Sequence, residues 1–281
     1  MNYTTLVDTQ TLASKLTSGW SLFDCRFVLN EPEAGERRFR TSHIPGAHFL
    51  HLDRDLAGPV TPGSGRHPLP VPELLAEKLR RTGVSDTSQI VAYDDAGGAF
   101  AARLWWLLRW LGHPQVAVLD GGIEKWLKEN RPITRELPMG VPAGDFQPRP
   151  DNALWVDSAE VEKQSREHTG RLLDARSANR FRGEDERIDS VAGHIPGAVN
   201  LPFTWNVSED GSFKSSGTLR QRFEVALGDV LPADSVCMCG SGVTACHNLL
   251  AMEVAGMKGG RLYAGSWSEW IRNPRRAVEV G

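Results

Sequence analysis

The sequence has little net charge and no long apolar run. Its formal net charge is −3 at pH 7 over 281 residues, so we expect no positive surface for nucleic acid or for an anionic membrane. The most apolar stretch, LWWLLRWLG, is too short to span a bilayer and is interrupted by Arg109. The N-terminal stretch MNYTTLVDTQTLASK lacks a basic start followed by an apolar segment. These absences predict a cytoplasmic protein whose partners are small molecules or neutral protein surfaces.

Cysteine is also scarce, with four residues in the chain: Cys25, Cys237, Cys239 and Cys246. In a reducing compartment they are expected to be free thiols rather than a disulfide framework. Cys237 and Cys239 form a Cys-x-Cys pair with no second paired motif, which is poor ligand spacing for zinc. Cys237 alternates inward on a predicted strand and Cys246 falls in a predicted helix, so we interpret both as core residues.

An internal repeat organises the chain. The motif HIPGA occurs at His43–Ala47 and again at His194–Ala198. FDCR (Phe23–Arg26) and LDAR (Leu173–Arg176) precede the two copies, and LDGGIEKW and YAGSWSEW follow them in the same order. Ordered matches at nearly constant spacing indicate two copies of one domain. His43 and His194 occupy equal places in both copies, whereas the thiol occurs in one copy. We therefore predict that these histidines anchor turns and take no part in the chemistry of the thiol.

Each copy alternates short β-branched strands with helical patterns that stop at a glycine, Gly112 or Gly256. This alternation is typical of an α/β fold with a mainly parallel sheet and helices on both faces. The Pro/Gly-rich stretch ELPMGVPAGDFQPRPDN predicts an extended linker at 136–152. We therefore expect one domain at 1–135 and a second, catalytic domain at 153–281.

The stretch CMCGSGVTACH, Cys237–His247, predicts a strand, a glycine-rich turn and a helix, with Cys239 where the strand ends. Alignment of the copies places Asp94 opposite Cys239, so only the second copy has a thiol there. The loop amides can curl around an anion, and the helix points its positive end at the same place. These surroundings stabilise a thiolate, which makes Cys239 the candidate nucleophile. The candidate anion-binding residues of the loop are Gly240, Gly242, Val243 and Thr244.

Three other interpretations of Cys239 are weaker. A buried structural cysteine is common in general, but the strand, turn and helix around this one favour a function. A cysteine phosphatase needs an arginine six residues after the nucleophile, where this chain has Ala245. A thioredoxin-like redox role needs Cys-x-x-Cys, which is absent. Transfer of an atom to and from the sulfur itself is the remaining chemistry.

The paired HIPGA domains, the loop CGSGVTACH and the motif GSWSEW resemble the two-domain rhodanese-type sulfurtransferases over essentially the whole chain. The resemblance implies a cysteine persulfide in the second domain and no metal or organic cofactor. Gly240 and Ser241 match members that use 3-mercaptopyruvate, whereas thiosulfate-using members have Cys-Arg-Lys-Gly in this loop. The implied sulfur acceptor is a thiol, such as thioredoxin or glutathione, or cyanide. Thiosulfate as donor, and a non-catalytic protein-binding module, are the alternatives.

The resemblance also implies a Ser-His-Asp relay, in which Ser241 matches directly. By order after the first HIPGA motif, Asp53 is the predicted carboxylate and His67 the predicted imidazole. A neutral imidazole can relay a proton between a carboxylate and a hydroxyl. His67 lies in LAGPVTPGSGRHPLPVP, where copy one carries an insertion relative to copy two. The insertion is either loop drift, which we favour, or a loop that reaches toward the site of the other domain. A solvated loop histidine and a helix-capping aspartate are the alternatives to the relay.

Two arginines are implied as the bidentate partners of the donor carboxylate. They fall between Asp174 and the second HIPGA motif, in ANRFRGEDERIDSVAGH, where Arg180 and Arg187 match best. Arg182 is the substitute for either of them. The alternative is a solvated loop of mixed charge, in which ion pairs contribute little to stability.

Overall fold

The computed structural model describes residues 2–281, which form two compact units. One unit contains the chain up to Gly58 together with Leu69–Asp151 and Val207–Phe213. The other contains Pro59–Pro68, Asn152–Asn206 and Lys214–Gly281. Each unit is an α/β domain on a parallel five-stranded sheet, which confirms the fold class predicted from the repeat.

In the first unit, the sheet order is β1-β5-β4-β2-β3, and all of its strand pairs are parallel. The strands β1 to β5 are Leu6–Val7, Ser21–Asp24, Ala47–Phe49, Ile90–Tyr93 and Val116–Leu119. The helices α1 to α6 are Thr9–Ala13, Ala34–Thr41, Leu52–Asp55, Pro72–Arg81, Ala101–Trp110 and Gly122–Lys128. Local signals start two of them: the Asp8 side chain accepts the amide of Thr11 before α1, and Pro72 opens α4.

In the second unit, the sheet order is β6-β10-β9-β7-β8, the same arrangement when strands are counted along the chain. The strands β6 to β10 are Trp155–Val156, Arg171–Asp174, Val199–Asn200, Ser235–Met238 and Arg261–Tyr263. The helices α7 to α11 are Ser158–Glu167, Ala178–Phe181, Ser216–Leu227, Thr244–Val254 and Ser266–Trp270. Short 3₁₀ turns occur at Asn152–Leu154, Phe203–Asn206 and Pro232–Asp234.

Each sheet buries an apolar cluster of its own, as parallel sheets covered by helices do. The cluster of the first unit includes Leu22, Val91, Ala117, Leu119 and Trp126. The cluster of the second unit includes Leu172, Val236, Met238, Tyr263, Trp267 and Trp270. In the described part of the chain, no helix is both long enough and apolar enough to cross a membrane.

The two HIPGA turns are built in the same way. Nδ1 of His43 lies 2.7 Å from the carbonyl oxygen of Phe39, and the two rings stack. His194 repeats this arrangement on Phe181, at 2.8 Å. The turn glycines of both motifs have positive φ angles, which glycine adopts without strain. Both histidines are therefore turn anchors, as their repetition predicted.

The segment predicted as a linker at 136–152 belongs, up to Asp151, to the first unit. Residues 136–151 form no helix or strand, and their backbone bonds to the first unit at several points. The amide of Gly144 donates to the carbonyl of Arg80, and that of Arg149 donates to the carbonyl of Leu111. The domain boundaries at 135 and 153 stay predictions.

Candidate active site

Cys239 lies directly after β9, the central strand of the second sheet, and is 2% exposed. Its amide donates to Oγ of Ser266 at 3.1 Å, and its carbonyl accepts the amide of Trp267 at 3.0 Å. The next carbonyl, that of Gly240, accepts the amide of Ser268 at 2.9 Å. The start of α11 therefore fixes the backbone on both sides of the Cys239 thiol.

The two glycines of the loop differ in backbone conformation and in their neighbours. Gly242 has φ of +75°, and a Cβ there would overlap the carbonyl oxygen of Ala264. Gly240 has an ordinary φ, but a Cβ there would lie 2.9 Å from Nη2 of Arg66 and 3.5 Å from Nη1 of Arg180. Gly242 permits the tight curl of the loop, and Gly240 permits two guanidinium groups to approach it.

The loop leads from Cys239 through Gly240–Val243 into α10, which begins at Thr244. Val243 is 4% exposed, and Thr244 occupies the first turn, where backbone N–H groups have no partner within the helix. This geometry is suited to holding an anion near Cys239. Val243, the residue that precedes the helix, therefore belongs to the candidate site together with Gly240 and Gly242.

Ser241 and His67 lie together although 174 positions separate them. Oγ of Ser241 and Nδ1 of His67 are 2.7 Å apart, and both side chains are buried. His67 belongs to Pro59–Pro68, a segment of the second unit. The interpretation of this insertion as loop drift is therefore wrong: the segment packs into the unit that contains Cys239.

Asp53, the predicted third member of the relay, lies in α3 of the first unit. Its amide donates to Nδ1 of His51, which caps that short helix. The helix cap is thus a histidine rather than the aspartate. The part of Asp53 in a relay stays a prediction.

The predicted arginines differ in their surroundings. Arg180 lies in the short helix α8; its Nε donates to Glu186 at 2.9 Å and its Nη2 to Asp189 at 2.8 Å. Burial acts to raise the pKa of Glu186, but the hydrogen bonds from the Asp189 amide and from Arg180 prevail and lower it. Arg187, by contrast, has a side chain that is 84% exposed and pairs with Asp185.

Arg182 resembles Arg187 rather than Arg180. Its side chain is 40% exposed and pairs with Glu184. The two residues lie on the solvent side of the mixed-charge segment, where ion pairs are screened. Of the three arginines predicted here, Arg180 is the one whose guanidinium group lies beside Gly240.

Sequence reasoning missed Arg66, which lies beside the same glycine. The Arg66 amide donates to Oγ of Ser268 at 3.0 Å, and its guanidinium group pairs with Asp189. Gly65, just before it, packs so closely on the carbonyl of Gly265 that a Cβ would overlap it. The available signal was the position of Arg66 next to His67 in the chain.

The other thiols have core surroundings. Burial raises the pKa of Cys237 and of Cys25 far above the usual range of a thiol. Sγ of Cys246 donates to the carbonyl of Gly242 at 3.3 Å inside α10. Within residues 2–281, no three His, Cys, Asp or Glu side chains cluster as a metal site would require. Cys239 is therefore distinguished by its place at the head of the loop.

A family model for the rhodanese-like domain matches the chain twice, at residues 8–129 and 157–273. The chain therefore belongs to the rhodanese-like family, with one copy of the domain in each half. These matches agree with the internal repeat.

Particular relatives are similar over nearly the full length. A probable 3-mercaptopyruvate sulfurtransferase of Pseudomonas aeruginosa is 50% identical over 284 aligned residues, which cover all of both chains. A thiosulfate sulfurtransferase of Gallus gallus is 34% identical over 263 residues, or 92% of this chain and 89% of the relative. The crystal structure of SseA from Escherichia coli, a 3-mercaptopyruvate sulfotransferase, matches with a TM-score of 0.81 and 31% identity, over 95% of this chain and 100% of that one.

Proposed function

We propose that the protein is a sulfurtransferase that moves a sulfane sulfur from 3-mercaptopyruvate, through a persulfide on Cys239, to a thiol or cyanide acceptor. The observation that carries the proposal is the loop headed by Cys239, in which Ser241 contacts His67 at 2.7 Å. Full-length similarity to a probable 3-mercaptopyruvate sulfurtransferase supports the same donor. The catalytic domain is the second copy, because the first has Asp94 at the equivalent place.

In the first half-reaction, the thiolate of Cys239 attacks the sulfur of 3-mercaptopyruvate. A sulfur–sulfur bond forms, the sulfur–carbon bond of the donor breaks, and its electron pair leaves on carbon as the enolate of pyruvate. The donor sulfur keeps its hydrogen and becomes the outer atom of the persulfide. Backbone amides of the loop and the start of α10 stabilise negative charge at this place.

Over the whole half-reaction, one proton leaves the Cys239 thiol, which forms the thiolate, and one proton is delivered to the carbon of the departing enolate. The contact between Ser241 and His67 supports a route for it: His67 takes the proton through the Ser241 hydroxyl and returns it by the same path to carbon, which gives pyruvate. Asp53 is the proposed third member of the relay. A buried relay of this kind excludes water from the proton path.

The donor also carries a carboxylate, for which arginine offers a bidentate partner. Arg180 is our first candidate, because its guanidinium group lies beside Gly240, the residue next to Cys239. Arg187 is the second residue that the family resemblance implies. Binding the carboxylate at a distance from the sulfur would orient the donor for attack.

In the second half-reaction, an acceptor thiolate attacks the outer sulfur of the persulfide. The bond to Cys239 breaks with its electron pair on Cys239, and the acceptor leaves as a persulfide. A second acceptor thiol then releases hydrogen sulfide and leaves a disulfide. Thioredoxin or glutathione can supply these thiols, and cyanide would leave as thiocyanate. Such acceptors are consistent with the cytoplasm, which we propose as the location.

The test is a side-by-side steady-state assay of 3-mercaptopyruvate and thiosulfate with a common thiol acceptor. We expect a higher kcat/KM with 3-mercaptopyruvate, and no turnover of either donor by Cys239→Ser. Mass spectrometry of the wild type after donor alone should detect one added sulfur atom on the Cys239 peptide. Cys25→Ser, which removes a buried thiol of the first unit, is the matched control and should keep turnover.

Thiosulfate is the second candidate donor, and one observation favours it. The Gallus gallus relative, which is 34% identical over 92% of this chain, is named a thiosulfate sulfurtransferase. A higher kcat/KM with thiosulfate would establish that preference and contradict the donor proposed here. A protein that is folded, has a reactive Cys239 and turns over neither donor would instead be a binding module.

A further inference from the structure

Two guanidinium groups and one carboxylate lie together beside Gly240. Nη2 of Arg66 and Nη1 of Arg180 are the nitrogens closest to the Cβ position of this glycine. The other terminal nitrogens of the same arginines bind the two oxygens of Asp189: Nη1 of Arg66 donates to Oδ1, and Nη2 of Arg180 donates to Oδ2 at 2.8 Å. Asp189 thus bridges the two arginines. Nη2 of Arg180, which binds Asp189, is itself 3.6 Å from the Cβ position of Gly240, so both terminal nitrogens of Arg180 lie beside the loop.

The cluster is shielded from solvent. The side chain of Asp189 is 3% exposed, that of Arg180 is 18% exposed and that of Arg66 is 25% exposed. Nε of Arg66 is buried and makes no hydrogen bond to any of residues 2–281. A buried guanidinium N–H without an acceptor costs free energy, so Arg66 has hydrogen-bonding capacity that the protein itself does not use.

The segment that carries Arg66 is held firmly in the second unit. The Arg66 amide donates to Ser268, and the next residue, His67, contacts Ser241. Both partners belong to the structure around Cys239, since Ser268 also donates its amide to the carbonyl of Gly240. Arg66 is therefore placed by the same contacts that place the loop.

We propose that Arg66 and Arg180 together bind the carboxylate of the sulfur donor, with Arg66 in the role that the sequence assigned to Arg187. This inference rests on the proposed function. The guanidinium nitrogens would contact the donor, whereas Asp189 is a positioning residue that holds the two groups together. A Cβ on Gly240 would lie 2.9 Å from Nη2 of Arg66, so a side chain there would displace that guanidinium group.

The chemistry of the cluster selects a small carboxylate. Two planar donor groups can each give one or two parallel N–H bonds to a carboxylate, and the bridge that Asp189 forms between them is an example. Glu186 and Asp189 already balance the two positive charges, so a ligand with a single negative charge unbalances the cluster less than a doubly charged ligand does. A 2-oxo acid anion such as pyruvate fits this description.

The experiment measures binding of pyruvate, by calorimetric titration, to the full-length Cys239→Ser protein, so that no turnover is needed. Arg66→Met keeps the length of the side chain and removes its fork. We expect it to weaken pyruvate binding by about 10- to 100-fold, the usual worth of a charged hydrogen bond. Arg66→Lys should bind with an intermediate affinity, because lysine keeps the charge but loses the fork.

Two further variants make the result specific. Arg187→Met should weaken binding less than Arg66→Met does. Arg166→Met, an arginine of α7 that is 72% exposed, is the matched control and should bind as the parent does. Asp189→Asn should raise the KM for 3-mercaptopyruvate more than it lowers kcat, which a general loss of structure would not do.

A larger loss in Arg187→Met than in Arg66→Met would overturn the inference, as would a parent protein that does not bind pyruvate. Circular dichroism and urea unfolding establish that each variant is folded, and Arg66→Lys serves if Arg66→Met is not. Loss of pyruvate binding in Arg66→Met with no turnover by the wild type would support this carboxylate site and contradict the proposed function. The two proposals therefore fail separately.

Discussion

The loop after β4 and the loop after β9 begin at equal places in the two sheets, because Asp24 pairs with Tyr93 and Asp174 pairs with Met238. The first loop then begins with Asp94 and the second with Cys239. Asp94 accepts four backbone amides, those of Ala96, Gly98, Phe100 and Ala101, at 2.7 to 2.9 Å. In the first unit, the loop amides therefore bind a carboxylate of the protein itself, that of Asp94.

The comparison explains why a thiol at the head of the second loop is chemically useful. Burial raises the pKa of Asp94, and the four amide hydrogen bonds oppose that rise without cancelling it, so the loop offsets part of the cost of a carboxylate that solvent cannot reach. Cys239 is shorter than aspartate and brings no carboxylate. We infer that the same curl of amides stabilises charge on the sulfur, or on the group that the sulfur attacks.

The largest expected effect comes from copying the first loop into the second. Cys239→Asp removes the nucleophile, so turnover of 3-mercaptopyruvate should fall by more than about 10⁴-fold. Cys239→Ser should be equally inactive. If the second loop binds anions as the first does, however, the aspartate variant should unfold at a higher urea concentration than the serine variant.

Urea unfolding followed by circular dichroism measures that difference, with the wild type as reference. An aspartate variant less stable than the serine variant would contradict the equivalence of the two loops. The free energy needed to bury the carboxylate would then be larger than the free energy gained from its hydrogen bonds to the loop amides. The loss of activity alone does not distinguish these cases, since both variants lack the thiol.

The second prediction is the reciprocal change. Asp94→Cys takes an acceptor away from four amides, two of which belong to buried residues, Gly98 and Ala101. We expect the free energy of unfolding to decrease by about 2–5 kcal/mol, because buried donors without an acceptor are costly. Asp94→Asn, which keeps one acceptor oxygen, should lose less. Equal stability of Asp94→Cys and the wild type would mean that water satisfies the amides.

Much of the fold follows from the sequence, because the repeat relates one half to the other. Short β-branched strands and glycine-ended helical patterns predict the parallel sheets, and Gly112 and Gly256 have the positive φ angles that end such helices. The HIPGA histidines could be separated from the chemistry because both copies have them. The thiol could be assigned to one copy for the same reason.

The rest of the candidate site depends on distant pairings that no local pattern encodes. Arg66 binds Asp189 across 123 positions, and neither residue stands in the repeat. The sequence places Pro59–Pro68 between elements of the first domain, whereas the structure places it in the second unit. Arg187 is a substrate-binding candidate through the family resemblance, but its side chain is exposed to solvent and pairs with Asp185.

The smallest expected effect concerns the glycines three residues after Asp94 and Cys239. Gly97 and Gly242 both have positive φ, +64° and +75°. A Cβ on Gly97 would have its nearest neighbours at 3.7 Å, an ordinary contact, whereas one on Gly242 would overlap the carbonyl of Ala264. Gly97→Ala therefore introduces backbone strain alone, and Gly242→Ala introduces strain and a steric clash.

We expect Gly97→Ala to lower the free energy of unfolding by about 1 kcal/mol and to leave kcat/KM near that of the wild type. Gly242→Ala should cost about 1–3 kcal/mol and should also reduce kcat/KM, because relief of the clash moves the loop that Cys239 heads. Urea unfolding and the donor assay on both variants measure the difference. Equal losses of stability and of kcat/KM in the two variants would contradict this prediction. They would mean that the contact of Gly242 with Ala264 does not position the Cys239 thiol.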